Sequence, residues 1–403
     1  MNVFVKPTSD AMNAITLVGA SVRAAAQSAR RAFFMPVAAD LYADVDLCET
    51  CPATRVEDYP RGLEGVLRGP QAGGWMYTGA LENYPDLIDH WSAIRPLYGN
   101  CGEVLRRVRD PLQVAQCLRR AGICCPNVAA TSADLPRDGS WLRKPLRSAG
   151  GVCIERLTNA AADRVQQPVY FQSHVEGGPC SAVYVAARGE AVLLGVTRQL
   201  LKENSFRYRG SIGPMPLDSP REEQFAAIGN ALAAEFAVVG LFGVDAVINT
   251  HEVWPVEVNP RYTASVEVLE RSLNLPALAL HVAACREGSL PRQLPSRGTP
   301  CVGKAMGFAE ENLTVEVDLR EVLDGVADVP TVGAQIRRQA PVATVLRTGR
   351  DEAEVEHALS IALEQLRLNL THRRDAGPRG DIARIRVPGS AIQVPRSDTG
   401  YTV

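Results

Sequence analysis

The chain has 403 residues, 46% hydrophobic and 22% charged, with 43 Lys and Arg against 45 Asp and Glu and a formal net charge of −2. A length of this order predicts roughly two to four domains, each able to bury a core. The balanced charge excludes a surface built to track nucleic-acid phosphates or an anionic membrane, and the ordinary apolar content excludes a mainly disordered chain.

The first segment reads as strand, turn and helix: Ala14–Val18, then Gly19-Ala20-Ser21, then residues 22–31, with a second strand at 37–41. Such a succession predicts a parallel sheet with right-handed crossovers. The G-x-G-x-x-G fingerprint is missing, because only Gly19 is present, so a doubly wound domain over 1–110 is expected without nicotinamide binding. No apolar run approaches the roughly 20 residues of a membrane span, and the opening residues lack a signal peptide's basic and apolar segments. A cytoplasmic location is therefore expected, with the ten cysteines reduced. The pair Cys48 and Cys51 has no second pair at zinc spacing and reads as structural.

A helix is expected at 112–121, a long one at 221–238, and another with Leu278, Ala279, Val282 and Ala283 on one face. These fall in a central region, 111–290. A Pro- and Arg-rich linker at 291–300 leads to short strands within 301–347, a small β-rich domain over 301–370 closed by an amphipathic helix from 352 to 370. Residues 371–403 read as a loosely held tail.

Four segments carry chemistry. In the first, a strand bearing Lys144 enters Ser148-Ala149-Gly150-Gly151, a loop that can bring backbone N–H groups to phosphate oxygens beside a lysine charge; a plain hairpin connection is the alternative. In the second, Gln172-Ser173-His174-Val175-Glu176 links two strands. Its extended backbone can meet an adenine edge and Glu176 can reach ribose hydroxyls, while His174 reads as a hinge residue more than a general base. In the third, alternation puts Arg207 and Arg209 on one face, suited to phosphate or carboxylate, or else to solvent.

The fourth is a hairpin, 242–248 and 253–260, around Asn249-Thr250-His251-Glu252. A turn centred on His251 puts Asp245 opposite Glu257 on one face, with Asn259 two residues along. A four-residue turn puts the two carboxylates on opposite faces, so register decides whether a site exists. With the first register, three hard oxygen donors suit magnesium. Glu257 lies between Val256 and Val258 in an apolar strand, where an unpaired carboxylate is expensive.

In this order the segments resemble the ATP-grasp superfamily across about residues 110–290. WPVEVNPR together with FRYRGSIGP is similar to predicted ATP-dependent carboligases of one-carbon coenzyme biosynthesis, the tyramine–glutamate ligases among them. The resemblance implies an α/β (α+β) ATP-grasp fold, preceded by the doubly wound domain and followed by the small β-rich one. It implies ATP and one or two Mg2+ ions as cofactors. Lys144 would contact phosphates, Ser148, Ala149, Gly150 and Gly151 would form a lid, and Gln172, Ser173, His174, Val175 and Glu176 would hold the nucleoside. Asp245, Glu257 and Asn259 would hold metal, and Arg261, with Arg207 and Arg209, would face the reacting groups.

The implied activity is ATP-dependent joining of a carboxylic acid to an amine or thiol through an acyl phosphate, in pterin or furan coenzyme biosynthesis. Its partners would be small molecules, with neither nucleic acid nor membrane, and this fold often forms homodimers. Two positions depart from the family: Arg109-Asp110 stands where an earlier nucleotide-binding lysine is usual, and Pro179 near the usual ribose acid. The competing reading is an ATP-binding regulatory protein of the same fold without turnover.

Overall fold

The computed structural model of the protein describes residues 13–159, 168–250, 252–294 and 300–371. The tail, His251 and the middle of the 291–300 linker lie outside the described residues. The N-terminal part holds β1 (Ala14–Val18), α1 (Arg23–Arg31), β2 (Met35–Asp40), α2 (Val45–Thr50), β3 (Ala53–Arg55), α3 (Glu64–Leu67), β4 (Gly74–Tyr77) and α4 (Pro85–Ser92). Its four strands are parallel in the order β3-β2-β1-β4.

Side-chain alternation gives this sheet two buried faces. Ile15, Leu17, Ala38 and Met76 meet the alanines of α1, while Val18, Ala39, Trp75 and Tyr77 meet Leu63 and Trp91. Trp75 and Trp91 pack edge to face at 6.0 Å, a geometry worth about 1 kcal/mol beyond burial. Helix α1 begins beside Asp40, whose carboxylate accepts from the N–H groups of Val22, Tyr42 and Ala43 at 3.0, 3.0 and 2.7 Å. Phosphate-binding doubly wound domains use that helix terminus for their ligand. Here an internal acid fills it, in keeping with the missing glycines.

Next come α5 (Gly102–Val108) and α6 (Pro111–Arg120). Asp110 caps α6 through the N–H groups of Leu112 and Gln113, at 2.9 and 3.3 Å, with Pro111 in the first turn. The strands β5 (Val128–Ala129), β6 (Asp138–Pro145), β7 (Glu155–Thr158) and β8 (Val169–Ser173) form a small antiparallel sheet in the order β5-β8-β6-β7.

The chain continues through β9 (Gly178–Ala187), β10 (Glu190–Leu201), β11 (Tyr208–Gly213), α7 (Ser219–Phe236), β12 (Gly240–Ile248), β13 (Val253–Asn259), α8 (Ala264–Leu273) and α9 (Ala277–Glu287). It ends with β14 (Cys301–Phe308), β15 (Leu313–Thr314), α10 (Leu319–Val322), β16 (Val326–Ala327), β17 (Gln335–Ile336), β18 (Pro341–Gly349) and α11 (Glu352–Thr371). The central sheet has eight strands, β13-β12-β9-β10-β11-β14-β18-β16. Helix α7 covers one face through Phe225, Leu232 and Phe236, against Tyr184 stacked on Phe242 at 4.8 Å. The other face meets α8 and α9. The C-terminal strands β14 and β18 extend this same sheet, because β14 pairs with β11 along Gly210 to Gly213.

On helix α9, Leu278 and Val282 are buried together with Ala277, His281 and Ala284, while Ala279 and Ala283 are half-buried. His281 can be buried because both ring nitrogens are satisfied: Nδ1 accepts from Leu241 N–H at 2.8 Å and Nε2 lies 3.0 Å from the Tyr98 carbonyl. No helix among the described residues is long and apolar enough to cross a membrane.

Candidate functional site

The site grows from the β12–β13 hairpin. Its turn is the four-residue kind, closed by Asn249 N–H to Glu252 C=O at 3.1 Å, and beside it Ile248, Val247 and Ala246 pair with Val253, Trp254 and Pro255. Continued unbroken, that register would separate Asp245 from Glu257. A β-bulge at Val256 intervenes, and beyond it Asp245 pairs with Glu257, Val244 with Val258 and Gly243 with Asn259. The turn is the kind that alone would part the carboxylates, and the bulge restores the pairing. Pro255, which has no N–H to give a ladder, is the local reason the strand bulges there.

The bulge has a chemical consequence. The Val256 carbonyl accepts from Lys144 Nζ at 3.1 Å and from Gln172 Nε2 at 3.2 Å, and Lys144 Nζ also donates to Gln172 Oε1 at 3.0 Å. β6 and β8 are neighbours, with Lys144 opposite Tyr170 and Leu142 opposite Gln172, so the small sheet delivers both side chains to the hairpin. Lys144 is 6% exposed. Burial works against its charge, but Tyr170, Glu257 and Asp245 outweigh that and hold its pKa above the usual lysine range.

Asp245 accepts from Gln199 Nε2 at 2.8 Å and from Asn259 Nδ2 at 3.1 Å. Burial, and then the charge of Glu257, push its pKa up to about 6. Two carboxylates and an amide facing one another in this way suit a hard divalent cation, which would relieve their repulsion. Among the described residues no three His, Cys, Asp or Glu side chains converge as a metal cluster.

A cavity of about 340 Å³ opens over these groups. Its walls include Gly150 and Gly151, the backbone stretch Gln172, Ser173, His174 and Val175, and Tyr208, Arg261 and Ser265. Gly151 has φ +71°, and a Cβ there would lie 1.9 Å from the Phe206 carbonyl oxygen, so glycine is required. Tyr208 N–H donates to the Gly150 carbonyl at 3.0 Å, resting the loop on β11. His174 lies edge-on to Phe206 at 6.2 Å, and burial, then Arg156, lower its pKa.

Several anticipated residues stand elsewhere. Arg207 and Arg209 share a face, but Tyr208 between them takes the cavity side. Arg207 lies 5.2 Å over the Phe308 ring, and Arg209 borders a separate groove beside α11. The alternation that brings the two arginines together is what turns them away. Glu176 is exposed outside the lining, and Ala149 is not part of the wall. Ser148 presents its carbonyl to Asn83 Nδ2 at 3.5 Å.

Arg261 reaches Glu82 Oε1 through Nε at 2.7 Å and Asn259 Oδ1 through Nη2 at 3.1 Å. Sequence reasoning assigned no role to Arg109, whose Nη1 donates to Glu257 Oε1 at 3.0 Å. Its signal was available as a basic residue where a lysine is usual, just before the α6 cap. Gln199, Tyr208 and Glu82 carried no local signal.

Residues 108–265 match the family model for an ATP-grasp domain. An uncharacterized protein of Methanocaldococcus jannaschii is 24% identical over 284 residues, 68% of each chain. The formate-dependent phosphoribosylglycinamide formyltransferase of Nitratidesulfovibrio vulgaris is 35% identical over 106 residues, which is 26% of each chain. The crystal structure of a biotin carboxylase from Campylobacter jejuni is alike in fold, with a TM-score of 0.69 at 11% identity, covering 87% of this chain and 91% of that one. Residues 108–265 of the chain are therefore an ATP-grasp domain, set in a fold shared with the biotin carboxylase.

Proposed function

We propose that the protein is an ATP-dependent ligase that activates a carboxylic acid as an acyl phosphate and passes the acyl group to an amine or thiol. The observation that carries this reading is the pairing of Asp245 with Glu257 on one face, beside Asn259 and with buried Lys144 reaching the adjoining Val256 carbonyl. The acid's oxygen takes the γ-phosphoryl group and ADP leaves. The nucleophile then attacks the carbonyl carbon, phosphate departs, and the nucleophile's proton goes to solvent.

Such transfers need alignment and charge neutralisation more than covalent help. Backbone groups from Gln172 to Val175 would hold the adenine, Lys144 the phosphates, and Arg261 the acyl phosphate. Magnesium held by Asp245, Glu257 and Asn259 would supply positive charge against the triphosphate. Gly150 and Gly151 would close over an intermediate that water destroys. The formate dependence named for the formyltransferase relative supports a carboxylic acid as one substrate. The motif wording supports substrates of pterin or furan coenzyme biosynthesis.

A second reading, nucleotide binding without turnover, draws on the Arg109–Glu257 ion pair, which engages a carboxylate the metal would use. A phosphate-release screen of acids against amines, including pterin and furan precursors, separates the two. ATP-dependent release with one acid–amine pair is expected. Nucleotide binding with no release from any pair would favour the regulator.

A further inference from the structure

Glu82 and Asn83 are adjacent residues between β4 and α4, far in sequence from the hairpin, yet each holds one arginine and each arginine holds one residue of the cation site. Glu82, whose side chain is fully buried, accepts from Arg261 Nε at 2.7 Å, and Arg261 Nη2 donates to Asn259 Oδ1 at 3.1 Å. Asn83 Oδ1 accepts from Arg109 Nη2 at 3.1 Å, and Arg109 Nη1 donates to Glu257 Oε1 at 3.0 Å. Asn83 also points its Nδ2 at the Ser148 carbonyl, 3.5 Å away, at the mouth of the glycine loop.

We propose that Glu82 and Asn83 form a positioning element that sets Asn259 and Glu257 for the cation through two arginine relays and ties that setting to the glycine loop. The inference rests on the reading of Asp245, Glu257 and Asn259 as a magnesium site. Its physical content is a division of donors. A guanidinium facing a lone carboxylate closes on both oxygens. Asn83 draws one nitrogen of Arg109 away, so that Glu257 meets the guanidinium through Oε1 and keeps Oε2 for the cation. Glu82 balances the charge of Arg261, which otherwise stands unneutralised two residues from a metal ligand and repels a divalent ion. The second Glu82 oxygen has no hydrogen-bond partner among the described residues. Among the described residues the Glu82 side chain's hydrogen bond is with Arg261, while its charge also supports Arg109.

The test measures Mn2+ binding by electron paramagnetic resonance in the presence of a non-hydrolysable ATP analogue. It compares the parent with Asn83→Ala, Asn83→Asp and Glu82→Gln. Asn83→Ala and Glu82→Gln are expected to weaken Mn2+ by about fivefold or more, the factor for one lost net hydrogen bond; the thermal midpoint should hold in Asn83→Ala and fall in Glu82→Gln, which breaks a buried ion pair. Asn83→Asp keeps an acceptor for Arg109 and loses the donor to Ser148. It should hold Mn2+ within about twofold of the parent, because only the relay to Glu257 bears on the metal. Its amide exchange at residues 148–152 should nevertheless quicken. Parental Mn2+ affinity in both Asn83→Ala and Glu82→Gln overturns the inference. So does an equal loss in all three variants that tracks a fall in thermal midpoint, which is what mere packing would give. A parent that binds no Mn2+ with the analogue overturns the functional reading itself, a different and distinguishable result.

Discussion

Two glycine turns follow strands in this molecule, and they have opposite fates. The turn after β1 is filled: Asp40 takes the Val22 N–H, and a Cβ on Gly19 would sit 2.1 Å from Thr78 Oγ1. The loop after β6 is open: Gly150 and Gly151 line a cavity that also holds Lys144, Asp245 and Glu257. A glycine turn becomes a phosphate site only where its N–H groups are free and a cation stands near. By that criterion the proposed nucleotide site falls in the cavity of the ATP-grasp domain and not at the N-terminal sheet.

Exchanging the glycines tests this most severely. Gly19→Ala should cost about 3 kcal/mol of unfolding free energy, as overpacking in a filled site does, and leave the nucleotide affinity of the folded fraction unchanged. Gly151→Ala should weigh the other way, weakening nucleotide by about tenfold or more because the loop must leave Phe206, with a smaller stability cost of about 1–2 kcal/mol for the left-handed backbone. Urea unfolding and calorimetric titration read the two effects; the same loss of both in each variant would erase the distinction.

A second expectation concerns the packing of α9 on the central sheet. Burial lowers the His281 pKa from 6.5 to about 4 in the folded protein, so folding favours the neutral ring. As pH falls through 6.5 the unfolded chain takes up this proton while the folded chain resists until about 4. Stability from this group is thus full above pH 6.5 and falls by about 3 kcal/mol on the way down to pH 4. Replacing His281 with Asn should flatten that part of the stability–pH curve; an unaltered slope would show the ring is not held neutral.

The smaller effects separate cations by position. Lys144→Ala should raise the nucleotide dissociation constant about tenfold, near 1.4 kcal/mol for one charge-assisted contact. Arg207→Ala and Arg209→Ala should change it by less than about twofold, since both half-buried side chains stand off the cavity, where solvent screens their charge. A tenfold loss from either arginine would return it to the site.

Much of this was legible from local pattern. The parallel N-terminal sheet follows from its strand–helix–strand texture, and the facing of Asp245 and Glu257 from parity and the expense of burying Glu257 alone. The route to that facing was not. The four-residue turn implied the opposite register, and only Pro255 hinted that a bulge at Val256 would restore it. Alternation correctly joined Arg207 to Arg209 but is silent about which face a cavity lies on. The pairing of β14 with β11, and the reach of Glu82 and Asn83 to the hairpin, depend on contacts distant in sequence, which no local periodicity encodes.

The most direct measurement is phosphate release by Glu257→Gln at limiting magnesium, with an acid–amine pair that the parent accepts. The account predicts a fall of about a hundredfold or more with an unchanged thermal midpoint, because the amide keeps the shape of the side chain and loses the charge that holds the metal. Release at the parental rate would contradict it.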